Sequence, residues 1–164
     1  MFLTSTNRVQ NAIRFKNSAT FWFGVGRTTP WSDESTPPSV DTSATALDEL
    51  VGVQKASTVS LVYPDAGGLI TYRGQNYTVS TDGNALANDA KFVLISTTLA
   101  YDTFPLTTFR QVGLYSDIVG TPAEATILLP GAISDLGALE GIDNREAITR
   151  AIDGVQTLSY IISF

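Results

Sequence analysis

Residues 21–41 read Phe21-Trp22-Phe23-Gly24-Val25-Gly26-Arg27-Thr28-Thr29-Pro30-Trp31-Ser32-Asp33-Glu34-Ser35-Thr36-Pro37-Pro38-Ser39-Val40-Asp41. A run of aromatic and β-branched strand formers enters a Gly-x-Gly. The chain then turns through Arg27 into a loop carrying Pro30, Trp31 and Pro37-Pro38. Both tryptophans and three of the seven prolines fall in this stretch. Proline fixes φ and an indole seeks burial, so the loop is built to hold one shape. The chain contains no His and no Cys, which removes the side chains most often used for catalysis and metal binding. A shaped surface without those groups points to a part that other proteins bind.

Upstream of this stretch, Val9, Ala12, Ile13 and the stem of Lys16 recur at helical spacing. They predict a short amphipathic helix over residues 4–17, capped by Ser5 or Thr6. Residues 21–25 read as a buried strand that Gly24 and Gly26 loosen at its end. Residues 42–51 read as a second helix, with Asp41 as N-cap, an apolar stripe of Ala44, Leu47, Leu50 and Val51, and Gly52 as C-cap. From there the pattern alternates. Strands are expected over 53–63, 69–72, 77–80, 91–101 and 109–118. Arg73-Gly74-Gln75-Asn76 forms a four-residue hairpin loop, and residues 81–89 a polar loop. A Pro/Gly-rich stretch at 120–141 holds one apolar run at 125–129. The chain closes on a hairpin, 147–152 and 155–164, turned at Asp153-Gly154. The fold class expected is mainly β: an antiparallel β-sandwich with an N-terminal helix and one further short helix. No internal repeat or linker divides the chain, so residues 1–164 are expected to be a single domain.

Hydrophobic residues make up 43% of the chain and charged residues only 16%. That is too apolar for disorder and low in charge for a self-repelling monomer. Either much of the surface faces other protein, or this is an ordinary Thr-rich β domain. The net charge is −6, and the ten Lys and Arg are scattered without a basic cluster. Phosphate-backbone binding is therefore not expected. Zero cysteines exclude disulfides and zinc-thiolate sites. The sequence shows no signal segment and no apolar run of the ~20 residues a membrane span needs, so synthesis in the cytoplasm without export is expected. The apolar run Tyr160-Ile161-Ile162 leading to Phe164 is expected to be buried in a sheet or against a partner.

Without His or Cys, acid–base chemistry falls chiefly to carboxylates. Asp33-Glu34, Asp48-Glu49 and Asp143 are the candidates. On a helix, adjacent Asp48 and Glu49 cannot face one another and form a solvated face; Asp33 and Glu34 are explained by turn formation. Nothing singles out a glycosidase pair. Gly24-Val25-Gly26 is no dinucleotide loop, since the third glycine would fall at Thr29. Asn76-Tyr77-Thr78 matches a glycosylation sequon without a secretion signal. Tyr63, Tyr72, Tyr77, Tyr101 and Tyr115 could stack on sugars, though a half-buried Tyr is also an ordinary strand residue. Arg27 has two readings. It could offer its guanidinium to a partner carboxylate, or it could stack on Trp31 and pair with Asp33 or Asp41, holding its own loop.

Three blocks together resemble a known family. The first is Phe23-Gly24-Val25-Gly26-Arg27-Thr28-Thr29-Pro30-Trp31-Ser32, followed by Pro37-Pro38-Ser39-Val40-Asp41. The second is Phe109-Arg110-Gln111-Val112. The third runs from Gly141 to Phe164, with Asn144-Arg145, Asp153 and a final Leu-Ser-Tyr-Ile-Ile-Ser-Phe. Their order and placement are similar to the dimeric baseplate wedge subunit of contractile-tailed bacteriophages of the T-even type, in a shortened form. Between Tyr63 and Lys91 this chain carries only a short hairpin where the T-even subunit is longer. The resemblance implies a structural, non-enzymatic component of the virion tail baseplate, without cofactor. It would assemble with other wedge subunits, as a homodimer within the wedge, and help couple receptor engagement to sheath contraction. Interface and fold determinants are expected at Arg27, Pro30, Trp31, Pro37, Pro38, Arg110, Arg145 and Phe164, because assembly anchors are enriched in aromatic residues and Arg. Two alternatives stay open: a receptor- or carbohydrate-binding module of the tail tip, and a neck or tail adaptor.

Overall fold

The computed structural model describes residues 2–100 and 102–164; Tyr101, expected to end a strand and weighed as a stacking residue, lies outside them. The chain has one α-helix, twelve strands and two single 3₁₀ turns among the described residues. It divides into two compact units. The first comprises residues 1–19, 57–96 and 159–164, and the second residues 20–56 and 97–158. The expected class, mainly β and antiparallel with a helix near the start, is the one observed.

In the first unit, helix α1 (Ser5–Ser18) begins at Thr4, whose hydroxyl accepts the Asn7 N–H at 3.2 Å. The cap is thus one residue earlier than Ser5. Val9 and Ala12 are its buried positions. Strands β3 (Thr58–Pro64), β4 (Ile70–Tyr72), β5 (Gln75–Ser80) and β6 (Phe92–Leu99) join β12 (Gln156–Ser163) in a sheet of order β12-β6-β3-β5-β4. On one face Val62, Tyr77 and Leu94 form a core cluster with Ile70, Tyr72, Phe92 and Ile161 against it. Leu61 and Val93, cross-strand partners of opposite parity, are buried on the other face. The β4–β5 loop is two residues long. Arg73 and Gly74 have φ +48° and +80°, the left-handed pair of a type I′ turn, so Gln75 and Asn76 belong to the strand instead of the loop.

In the second unit, β1 (Phe21–Gly26), β2 (Gly52–Lys55), β7 (Thr108–Ser116), β9 (Ile127–Leu128) and β11 (Ala138–Thr149) form a sheet of order β11-β7-β1-β2-β9. A ribbon of β8 (Val119–Gly120) and β10 (Ile133–Asp135) lies with it. Ile133 of the ribbon packs on a cluster of Trp22, Leu47, Val53, Tyr115, Ile118 and Leu128, giving a sandwich-like layering. The expected strand 53–63 is two strands, β2 and β3, which belong to different sheets. The expected final hairpin is also absent. A turn does form, with Gly154 N–H donating to Ala151 O at 3.1 Å. However, β11 pairs with β7 while β12 neighbours β6. The turn is centred one residue earlier than expected, on Ile152-Asp153 with Gly154 closing it, and the strands' partners lie far away in sequence. The stretch read as Pro/Gly-rich loop likewise supplies the first residues of the twelve-residue strand β11.

Residues 42–51 are not helical. The N–H groups a helix would use internally are taken by strand β7. Leu47 N–H donates to the Tyr115 hydroxyl at 2.9 Å and Asp48 N–H to Gln111 Oε1 at 2.8 Å, and Glu49 has φ +44°. Gly52 opens β2 and caps nothing. The apolar stripe is real but serves a loop: Leu47 is buried and Leu50 packs on the same cluster. The glycines that looked like strand looseners make room for it. Gly24 and Gly113 are cross-strand partners. A Cβ on Gly24 would stand 2.8 Å from the Tyr115 ring, and one on Gly113 would stand 3.0 Å from both Leu47 and Tyr115. Replacing Leu47 with Ala is expected to cost about 2–5 kcal/mol, the range for emptying a packed apolar site. Tyr115→Phe, which strands a buried N–H, is expected to cost about 1–3 kcal/mol. Urea unfolding followed by fluorescence measures both.

Candidate functional site

Strand β1 ends where the chain must reverse over itself. A Cβ at Gly26 would sit 2.5 Å from the Asp48 carbonyl, so only glycine lets the 47–49 segment fold back onto the strand end. Arg27 follows in the left-handed region at φ +55°, and its N–H donates to that same Asp48 carbonyl at 2.6 Å. Its side chain then gathers the loop. The guanidinium lies 4.4 Å from the Trp31 ring centroid, Nε donates to Thr29 O at 3.1 Å, and a second nitrogen reaches Asp48 Oδ2 at 3.3 Å. Arg27 therefore stacks on Trp31, but its carboxylate is Asp48 and neither Asp33 nor Asp41. Those two close their own turns, on Ser35 and Ser43 respectively.

Glu49 completes the fold-back. Its carboxylate accepts four hydrogen bonds, from the N–H and hydroxyl of both Thr28 and Thr29, at 2.6–2.8 Å. The Thr28 hydroxyl foremost, then the Thr29 hydroxyl and N–H, hold its pKa down from 4.5 to about 2. The expectation of Asp48 and Glu49 as a solvated helix face is thus overturned. With the segment extended, the two side chains are free to engage Arg27 and the Thr pair separately.

Two strands brace the loop from the sheet. Arg110, 6% exposed, grips both oxygens of Glu34 through Nε at 2.7 and 3.0 Å and donates to Thr28 O at 2.5 Å. Beside it, Gln111 takes the Asp48 N–H and donates to Asn144 Oδ1 at 2.9 Å; Asn144 donates in turn to Pro38 O at 3.0 Å. The Trp31 indole N–H donates to Arg145 O at 2.9 Å. The Phe-Arg-Gln block, the Asn-Arg pair and the Arg-to-Pro-Pro loop are therefore one connected network. Arg145 enters it through its backbone carbonyl. Pro30 and Pro38 are exposed on the loop and Pro37 is half-buried. Beside the loop, Val40, Asp41, Thr42 and Ala44 face Leu139, Glu140 and neighbouring β11 residues across an open groove of about 230 Å³.

Phe164 belongs to the first unit, where its ring lies 5.1 Å from Phe15 and its N–H donates to Lys91 O at 3.0 Å. Arg150 is buried in the second unit. It donates to the carbonyls of Leu99, Ala100, Phe104 and Pro105 at 2.6–3.0 Å, and this burial lowers its pKa. Its sequence neighbours carry no signal for that role, because all four acceptors are backbone groups some fifty residues away. Of the tyrosines, Tyr115 and Tyr77 are buried and present no ring for stacking on a ligand.

Acid should weaken this loop. Because Glu49 binds its proton more weakly folded than unfolded, its contribution is present above about pH 4.5 and is lost as pH falls towards 2. Glu49→Gln is expected to flatten the stability slope in that window, read from urea midpoints at stepped pH. Trp31→Phe keeps the ring but removes the donor to Arg145. It is expected to cost about 1 kcal/mol and to speed proteolytic cleavage within residues 31–44, read by mass spectrometry.

Residues 2–164 match the family described as baseplate wedge 3 tail fiber network component. Virion protein 3 of Enterococcus phage phiEF24C is 30% identical over 172 aligned residues, which cover 98% of this chain and 93% of that protein. The matches span every strand of the braced loop. The chain belongs to the baseplate wedge 3 tail fiber network component family, structural proteins of the phage virion.

Proposed function

We propose that this protein is a non-enzymatic subunit of the tail baseplate wedge. In this reading it is made in the host cytoplasm, joins other wedge subunits as a homodimer, and helps transmit receptor engagement to sheath contraction. The observation that carries the proposal is the braced loop. Its stacked Arg27–Trp31 pair, its Glu34–Arg110 ion pair and its Glu49 cradle spend its charges within the chain. A loop so occupied has little left for acid–base work. It is also stiff, so its exposed Pro30, Pro38 and Val40 are presented in one conformation, which lowers the entropy cost of being bound. A subunit that passes force between neighbours needs such surfaces, since a flexible contact would absorb the displacement.

Arg27→Ala in combination with Trp31→Ala, introduced into the phage genome, tests this. Virions are expected to lack complete baseplates, and tagged wild-type protein is expected to co-purify baseplate proteins from disrupted particles while the variant does not. Intact, infective particles from a variant that still folds, or a wild-type chain recovered alone, overturn the proposal.

A further inference from the structure

Four strands stand at the edges of the two five-stranded sheets: β11 and β9 in one, β12 and β4 in the other. An exposed edge offers unpaired N–H and C=O groups to any other strand, and proteins usually blunt it by shortness, charge, proline or bulges. Three of the four are blunted. Strand β9 has two residues and β4 three. Strand β11 carries two register shifts, and Trp31 already occupies the Arg145 carbonyl. Strand β12 has eight residues, Gln156–Ser163, with no charge, proline or glycine.

The direction of its free groups follows from one bond. Phe164 N–H donates to Lys91 O, immediately before β6. Backbone groups along a strand alternate in direction, so the even-numbered residues of β12 face β6. Thr157, Ser159, Ile161 and Ser163 then turn their N–H and C=O outward.

We propose that the outer edge of β12 pairs antiparallel with β12 of a second copy, on a twofold axis through Tyr160. This rests on the homodimer reading above and gives it an interface. The register matches the strand to itself. Residues i and 320 − i face one another, so Tyr160 meets Tyr160, Leu158 meets Ile162, and Thr157 meets Ser163. The two copies exchange about eight main-chain hydrogen bonds through the four outward residues of each. Leu158–Ile162 and Tyr160–Tyr160 bring large side chains together, Ser159 faces Ile161, and no like charges oppose across the axis. An unrelated strand would gain the same hydrogen bonds without this matched side-chain order, which is why the second copy is the occupant.

Thr157 and Ser163 are both exposed, so charges placed there leave the interior untouched. In the proposed register T157K/S163K sets lysine against lysine across the axis, whereas T157K/S163E sets lysine against glutamate. By sedimentation velocity on the full chain, the wild type is expected to dimerise. T157K/S163K is expected to weaken the dimer roughly tenfold, and T157K/S163E to restore it. S159P removes an outward N–H without touching the β6 ladder and should also weaken association. The chain has no native cysteine, so Y160C should form an oxidised dimer while T157C does not. A dimer indifferent to these changes overturns the β12 interface and leaves the homodimer reading standing. A chain that remains monomeric at the highest concentrations overturns both.

Discussion

The hydrogen bond from Leu47 N–H to the buried Tyr115 hydroxyl is the constraint from which the rest of the loop follows. It holds the 47–49 segment down on the sheet, with Leu47 seated over the paired glycines Gly24 and Gly113. Only with that segment fixed can Asp48 reach Arg27 and Glu49 reach the two threonines. Only with Arg27 fixed does Trp31 acquire a stacking partner and a direction for its N–H. The hydroxyl has no water to fall back on in this core, so losing the partnership exposes a cost on both sides. The order runs from a packed apolar anchor to polar contacts that are individually modest.

Most of those polar contacts are at the surface, where single ion pairs contribute little. What distinguishes this network is that its members share partners. Gln111 accepts from Asp48 and donates to Asn144, Asn144 donates to Pro38, and Arg110 serves Glu34 and Thr28 together. A side chain already ordered by one bond loses less entropy in making the next. The loop is thereby held from its start at Arg27 to Pro38. This suits a protein of the baseplate wedge family, whose task is assembly. The same sparing use of charge recurs in the first unit, where Asp82 and Asp89 are paired with Lys16 and Lys91.

Sequence blocks far apart along the chain proved to be contact partners, and this gives the family resemblance a physical meaning. Phe109-Arg110-Gln111 and Asn144-Arg145 are strand segments whose polar members would be poor choices for a sheet interior on their own. They are there because the Arg-to-Pro-Pro loop lies against them. A motif of this kind is a record of one contact written in three places.

The sequence by itself determined the class, the first helix and a buried strand over 21–25, one residue short of β1, because these rest on local chemistry: periodicity and the preference of aromatic and β-branched residues for strands. It also announced chain reversals after Tyr72 and near Asp153, though the first loop is two residues instead of four and the second turn is centred on Ile152-Asp153. The tertiary structure alone decided which strands share a sheet, so that β2 parts from β3 and β11 from β12 across short connections that read as continuous or as a hairpin. It alone turned residues 42–51 from an expected helix into a fold-back. Their helical periodicity was genuine, but the backbone donors found stronger partners in Tyr115 and Gln111, more than sixty residues away. A local preference worth a few tenths of a kcal/mol per residue, roughly, yields to a single buried hydrogen bond with an apolar anchor beside it. No window of neighbouring residues contains that competitor.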